Sequence, residues 1–236
     1  MKRLLVLLLL ALTACSSPSG NLAAQPQQGT LTTSDGLTIS YSYLPAKEGA
    51  AGMILLHMLG RSKDDYATFA RMLNIAGFAV LAIDFRGHGQ SAGELHQFSD
   101  ADFNKMVRDV KAAKQFLARQ PGVDSRRIGI VGASIGANIA LNYAVDDPDV
   151  KTVVLLSPGM NYRGVSPVDS MKRYSNPVML AAANDDRESA IAVHRLGELA
   201  HASGVQVFPG RSHGTQLLET TEADQLARDW LQRELR

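Results

Sequence analysis

Beyond about residue 30 the chain alternates between two kinds of apolar pattern. Short unbroken apolar runs at 52–57, 78–83, 127–131, 150–156, 178–182 and 205–208 read as strands covered on both faces. Between them, apolar residues recur at helical spacing. Tyr66, Phe69, Ala70 and Leu73 mark a helix over 63–76 that stops at Gly77. Ser99-Asp100 can cap a helix running to about Arg119, with Phe103, Met106, Val107, Val110, Phe116 and Leu117 on one side and Pro121-Gly122 ending it. Further helices are expected from the serine turn described below to about Val145, around 189–202, and from about Glu222 onward. Ahead of all these, Leu31-Thr32-Thr33, the turn Ser34-Asp35-Gly36 and the alternating Leu37 to Tyr43 predict an antiparallel hairpin. Strand and helix in alternation predict a mostly parallel sheet with helices on both faces, in one domain over 30–236. No internal repeat interrupts it.

The first 29 residues follow different rules. Met1-Lys2-Arg3 is basic, Leu4 to Leu12 is almost wholly apolar but too short to span a bilayer, and Leu12-Thr13-Ala14 closes with small residues before Cys15, the only cysteine. Residues 1–14 therefore read as an export signal. The Leu-Thr-Ala-Cys ending resembles a bacterial lipobox, which implies lipidation of Cys15 and attachment to the cell envelope. With Ser16 next, that resemblance points to the outer membrane of a Gram-negative cell, on the periplasmic side. Residues 15–29, rich in Ser, Pro, Gln and Gly, would be a flexible tether. A single cysteine excludes an internal disulfide, so the core must supply the stability.

Charge narrows the partners. Twenty-four basic residues against 23 acidic give a formal charge of +1, and no dense Lys/Arg block carries interleaved aromatics, so no nucleic-acid partner is expected. No His/Cys/Asp/Glu grouping has metal-ligand spacing and no glycine-rich phosphate loop is present, so neither metal nor cofactor is expected.

One stretch carries chemistry. Gly132-Ala133-Ser134-Ile135-Gly136 lies between the apolar runs 127–131 and 137–141, a strand, a sharp turn and a helix. Such a turn strains the serine backbone, lifts its hydroxyl clear of the sheet, and needs small residues two positions to either side. It also sets the N–H of Ile135 at a helix N-terminus, where developing negative charge is stabilised. A serine nucleophile needs a base and an acid that orients the base. In a parallel sheet these belong at the C-terminal strand edge. Asn184-Asp185-Asp186 follows the run 178–182, and Ser212-His213-Gly214 follows 205–208. The order is Ser134, then an aspartate, then His213.

These motifs, together with Asp84-Phe85-Arg86-Gly87-His88-Gly89-Gln90-Ser91, resemble the α/β-hydrolase family of the serine esterase and lipase type, with dienelactone-hydrolase-like proteins near in kind. The resemblance covers the whole domain. It implies the α/β-hydrolase fold and a Ser-His-Asp triad acting on a small-molecule ester through an acyl-enzyme. By family spacing the acid falls on Asp186, with Asp185 one residue short of it. By position the oxyanion donors are the N–H groups of Leu59 and Ile135. One departure is evident: His57-Met58-Leu59-Gly60 carries methionine where many members have glycine. His57 is expected to brace the oxyanion loop, while His88 and Asp84 are expected to be structural. His96, His194 and His201 are read as surface residues, the last two in a helix. Residues 157–176 are too few for a helical lid domain, so no large cap is expected and the site should be open. Met58, Met160 and Tyr162 are the expected wall residues.

Overall fold

The computed structural model describes residues 23–201 and 203–236. The expected signal peptide over 1–14, Cys15 and the expected tether up to residue 22 lie outside the described residues. Among the described residues, eight strands form a single sheet in the order β1-β2-β4-β3-β5-β6-β7-β8. They are β1 (Gln27–Thr32), β2 (Thr38–Leu44), β3 (Ala50–Leu56), β4 (Ala79–Ile83), β5 (Val123–Ala133), β6 (Val150–Leu156), β7 (Val178–Ala183) and β8 (Ser203–Phe208). β1 and β2 form the expected antiparallel hairpin, and β2 joins β4 antiparallel; every other pairing is parallel. β1 begins at Gln27, so the last residues assigned to the tether pair with β2 instead.

The strands are buried on both faces because successive residues feed two separate apolar layers. Ile54, Leu56, Ile130, Val153, Leu155 and Leu180 enter one layer, and Met53, Leu55, Val131, Val154, Leu156 and Met179 enter the other. The first layer is covered by α3 (Val107–Leu117), α4 (Ile135–Ala144), α5 (Val168–Arg173) and α6 (Arg187–Leu199). The second is covered by α1 (Ala67–Ile75), α7 (Leu217–Thr220) and α8 (Ala223–Glu234).

The helix expected from Ser99 to Arg119 is two helices, α2 (Asp100–Asn104) and α3. Between them the chain tightens: the N–H groups of Met106, Arg108 and Asp109 bond to carbonyls three residues back. Apolar periodicity alone cannot register this break, because Phe103, Met106 and Val110 are buried on both sides of it. His201 sits just past the end of α6, exposed, not inside the helix. The segment between β6 and β7 holds only the short α5 and a Tyr162–Val165 bridge, so no cap domain is present there. Among the described residues, no helix is long and apolar enough to cross a membrane.

Candidate active site

Ser134 sits between β5 and α4 with φ 54° and ψ −122°, a conformation that costs a non-glycine residue about 1–3 kcal/mol. The surroundings hold it there. Its N–H donates to Leu156 O at 2.8 Å, and its carbonyl accepts the N–H of Ala137 at 2.9 Å. The flanking glycines are imposed by close approach. A Cβ on Gly132 would lie 2.3 Å from Gly136 O, and one on Gly136 would lie 2.5 Å from His57 O at the end of β3. The strained turn is thus wedged between its own helix and the neighbouring strand. Ile135 is the first residue of α4, so its N–H has no partner within the helix.

Asp186 ends the β7 loop as the residue capping α6, and its Oδ2 lies 2.7 Å from His213 Nδ1. The Nδ1–H donates to the carboxylate, which leaves Nε2 as the basic nitrogen. Asp185 is exposed; its N–H ties the loop to Gly210 O at 2.9 Å, and its carboxylate has no partner among the described residues. The geometry therefore separates the two acids, and Asp186 is the one joined to histidine. His213 is half-buried, and the residue after it fixes its loop. Gly214 has φ 59°, and a Cβ there would meet Met58 Sδ at 2.7 Å. Its N–H donates to Ser157 Oγ at 3.0 Å. Ser157 follows β6, and its own backbone is left-handed with φ 48°. Between Ser134 Oγ and His213 there is no regular hydrogen bond among the described residues; contacts of this kind tighten when substrate binds.

The loop after β3 is shaped by His57. Its Nε2 accepts the N–H of Phe85 at 3.0 Å, so its proton is on Nδ1, which donates to Met58 O at 2.8 Å. Burial pushes its pKa down to about 4, so the ring is neutral. Across a trans peptide the C=O and the following N–H point opposite ways. By holding Met58 O toward itself, His57 turns the N–H of Leu59 away from its own ring. Methionine in place of glycine at 58 is accommodated because the left-handed position in this loop is Gly60, φ 72°.

Of the three expected wall residues, Tyr162 has its side chain at the site. Its ring stands edge-on to His213 with centroids 6.4 Å apart. Met58 packs on Gly214 and the second apolar layer, so it braces the histidine loop. Met160 is half-buried against the first layer. The surface grooves between α1 and α8 and between α1 and α7 are lined by none of Ser134, Asp186 and His213.

The Asp84 to Ser91 motif builds a separate polar cluster. Asp84 accepts from Lys63 Nζ at 2.8 Å and from the N–H groups of Lys63 and Gln90 at 2.7 and 2.9 Å. Arg86 pairs with Asp109 at 2.7 Å and with Asp35 at 2.8 Å, tying α3 to the hairpin turn. The Arg86 bond holds Asp35 well below the usual carboxylate range, whereas burial raises Asp109 despite its arginine. His88 Nδ1 donates to Arg86 O at 2.9 Å, and burial lowers its pKa. Asp84, Arg86 and Asp109 are thus taken up by bonds within the protein, while His88 Nε2 is buried with no hydrogen-bond partner among the described residues.

Three polar residues at this edge escaped sequence reasoning. Ser157 and Ser189 have no motif. Asn138 had a signal, a lone amide inside the apolar run 135–141, and it proves to be fully buried with three hydrogen bonds to the loop after β6.

Comparison with known proteins agrees with this architecture. The family model described as Hydrolase_4, serine aminopeptidase, S33, matches residues 47–203. A polyketide transferase of Stachybotrys chlorohalonatus is 31% identical over 161 residues, covering 68% of this chain and 51% of its own length. A thiohydrolase of Aspergillus aculeatus is 25% identical over 167 residues, covering 70% and 50%. The chain thus spans about half the length of these curated relatives. Among solved structures, an esterase of Pyrococcus furiosus superposes with a TM-score of 0.75 at 19% identity, covering 90% of this chain and 92% of its own. Est1E of Butyrivibrio proteoclasticus, with ferulic acid bound, gives 0.75 at 17% identity, covering 87% and 99%. With more than half of the chain matched and the eight-stranded fold in place, this protein belongs to the Hydrolase_4 family of α/β-hydrolases.

Proposed function

We propose that this hydrolase cleaves carboxylic esters by way of a covalent acyl-enzyme on Ser134. The observation that carries the reading is a strained Ser134 turn at the same sheet edge as a His213–Asp186 pair bonded at 2.7 Å. Ser134 Oγ attacks the carbonyl carbon while His213 Nε2 takes its proton. The oxygen gains negative charge between the N–H groups of Leu59 and Ile135, near the N-terminus of α4. His213 returns the proton to the departing alkoxide, and water repeats the sequence to release the acid. Asp186 keeps His213 in the tautomer with a free Nε2.

With no cap domain between β6 and β7, small or shallowly bound esters suit the site best. The thiohydrolase relative supports thioesters as a second substrate class, since the same serine attacks either carbonyl. Lactone or peptide cleavage, and a catalytically silent binding protein on this fold, are the readings to be excluded.

A fluorophosphonate probe should label the protein at Ser134, and Ser134→Ala should abolish both labelling and ester hydrolysis, by about 10⁴-fold or more in kcat. An unlabelled wild-type protein would defeat the proposal. A panel of short esters, thioesters, lactones and aminoacyl amides then sets the bond cleaved.

The N-terminal reading adds a location: lipidated Cys15 would hold the hydrolase at the cell envelope, with the chain up to β1 as tether. Cys15→Ala should move the protein from the membrane fraction to the soluble one; unchanged fractionation would remove the anchor from the proposal.

A further inference from the structure

The loop after β6 is built around one side chain. Asn138, four residues beyond Ser134 on α4, donates to Gly159 O at 3.0 Å and Val165 O at 2.8 Å and accepts the N–H of Gly159 at 3.2 Å. Tyr162 and Val165 exchange backbone hydrogen bonds of 3.1 and 2.8 Å, closing the loop on itself. Gly159 leaves bare backbone under the Tyr162 ring, since a Cβ there would come within 2.5 Å of it. The ring is therefore clamped before any substrate arrives. Its hydroxyl lies 3.2 Å from Ser189 Oγ, a fully buried group, and donates to Ser157 O over 3.4 Å, a long bond from which the proton can turn to a nearer acceptor when substrate is bound. Burial raises the phenol pKa, so the hydroxyl keeps its proton and remains a donor.

Topology says which reacting atom this donor meets. β5, which carries Ser134, lies between β3 and β6 in the sheet. The Leu59 loop comes from β3, on one flank of Ser134. Tyr162 comes from the β6 side, the flank on which β7 and β8 bring Asp186 and His213, and its ring touches His213 edge-on. The oxyanion forms toward Leu59 and Ile135. The leaving-group oxygen must lie toward His213, which protonates it.

We propose that Tyr162 is a catalytic residue whose hydroxyl donates a hydrogen bond to the leaving-group oxygen as the carbonyl carbon–oxygen bond breaks. His213 supplies the proton that leaves with the alcohol, and Tyr162 keeps its own. In the second half-reaction the attacking water occupies the same place. Ser189 Oγ, behind the phenol, can donate to it and strengthen it as a donor. This role rests on Ser134 being the nucleophile.

A hydrogen bond to the leaving group matters in proportion to the charge that builds there. It helps expel a basic alkoxide and adds little for a nitrophenolate, which spreads its charge over the ring. Tyr162→Phe keeps the clamped ring and removes only the hydroxyl. The test compares kcat/KM of wild type and Tyr162→Phe on the ethyl and 4-nitrophenyl esters of one short acid, with fluorophosphonate labelling alongside. The expected result is a loss of about 10- to 100-fold on the ethyl ester, about threefold or less on the nitrophenyl ester, and labelling retained. Equal loss on both esters would reduce Tyr162 to a structural part, and no loss on either would show the hydroxyl idle; both results overturn the proposal. A wild-type protein that neither hydrolyses nor labels, and matches Ser134→Ala, would overturn it together with the serine-hydrolase reading.

Discussion

Two of the clusters of charged and polar side chains among the described residues are built on opposite plans. Around Asp84 and Arg86, nearly every donor meets an acceptor out of contact with water: Lys63, Asp84, Arg86 and Asp109 are all buried, and their ion pairs measure 2.7–2.8 Å. Around Ser134 the polar groups are left partly unmatched. The backbone is strained, His213 is half-buried with Nε2 unused by Asp186, and the first N–H of α4 has no helical partner. Apart from the buried Nε2 of His88, the Asp84 cluster has little capacity left to bind a substrate atom. An unsaturated one, held by rigid neighbours, has donors and a base in reserve for charge that appears only during reaction. Charge density therefore marks the scaffold here, and reserved hydrogen-bonding capacity marks the site.

The sharpest way to break this contrast lies within the pair of adjacent aspartates. Asp186→Asn should lower kcat by about 10³- to 10⁴-fold, because an amide no longer selects the tautomer with a basic Nε2. Asp185→Asn should leave kcat within about threefold, since only the backbone of Asp185 is engaged. Steady-state kinetics on one ester decides it, and reversed magnitudes would transfer the acid role to Asp185. On the scaffold side, Arg86→Met should cost about 3–5 kcal/mol in urea unfolding, because Asp109 is left buried without its partner. Adding Asp109→Leu should recover part of that loss. The labelling rate per folded molecule should stay within about twofold of wild type. A labelling rate that collapsed in a still-folded Arg86→Met protein would merge the two clusters into one functional unit.

Much of both clusters was legible in the chain because each has local sequence causes. The serine turn needs glycines at fixed offsets, a parallel sheet brings its strand ends to one edge, and Ser134, Asp186 and His213 each lie within a few residues of a strand end, Ser134 immediately after β5 and the other two on the loops after β7 and β8. The strand runs were legible for the same reason: alternate residues feed two apolar layers, so the runs are unbroken. What the pattern hid depends on contacts distant in sequence. Ser157 serves Gly214, 57 residues away, and Arg86 serves Asp35, 51 residues away. The break between α2 and α3 was hidden because its residues keep their burial through a tightened turn. Distance in sequence also hid the packing of Met58 on Gly214, 156 residues away.

Ser157 belongs to both plans at once and gives the finest test of the contrast. It is fully buried and bonded like the scaffold, yet its backbone has a positive φ like that of Ser134, and its Oγ receives the N–H of the residue after His213. Ser157→Ala removes the acceptor and keeps the strain; Ser157→Gly removes the acceptor and relieves it. Loss of the bond should cost about 1–2 kcal/mol in either variant. Relief of the left-handed strain should return about 1 kcal/mol to the glycine variant alone. Unfolding by urea should therefore rank wild type above glycine above alanine. If the hydroxyl serves the site by fixing the His213 loop, kcat/KM should fall by a similar factor, about 3- to 10-fold, in both variants despite their different stabilities. Activity that instead followed the stability ranking would place Ser157 wholly with the scaffold.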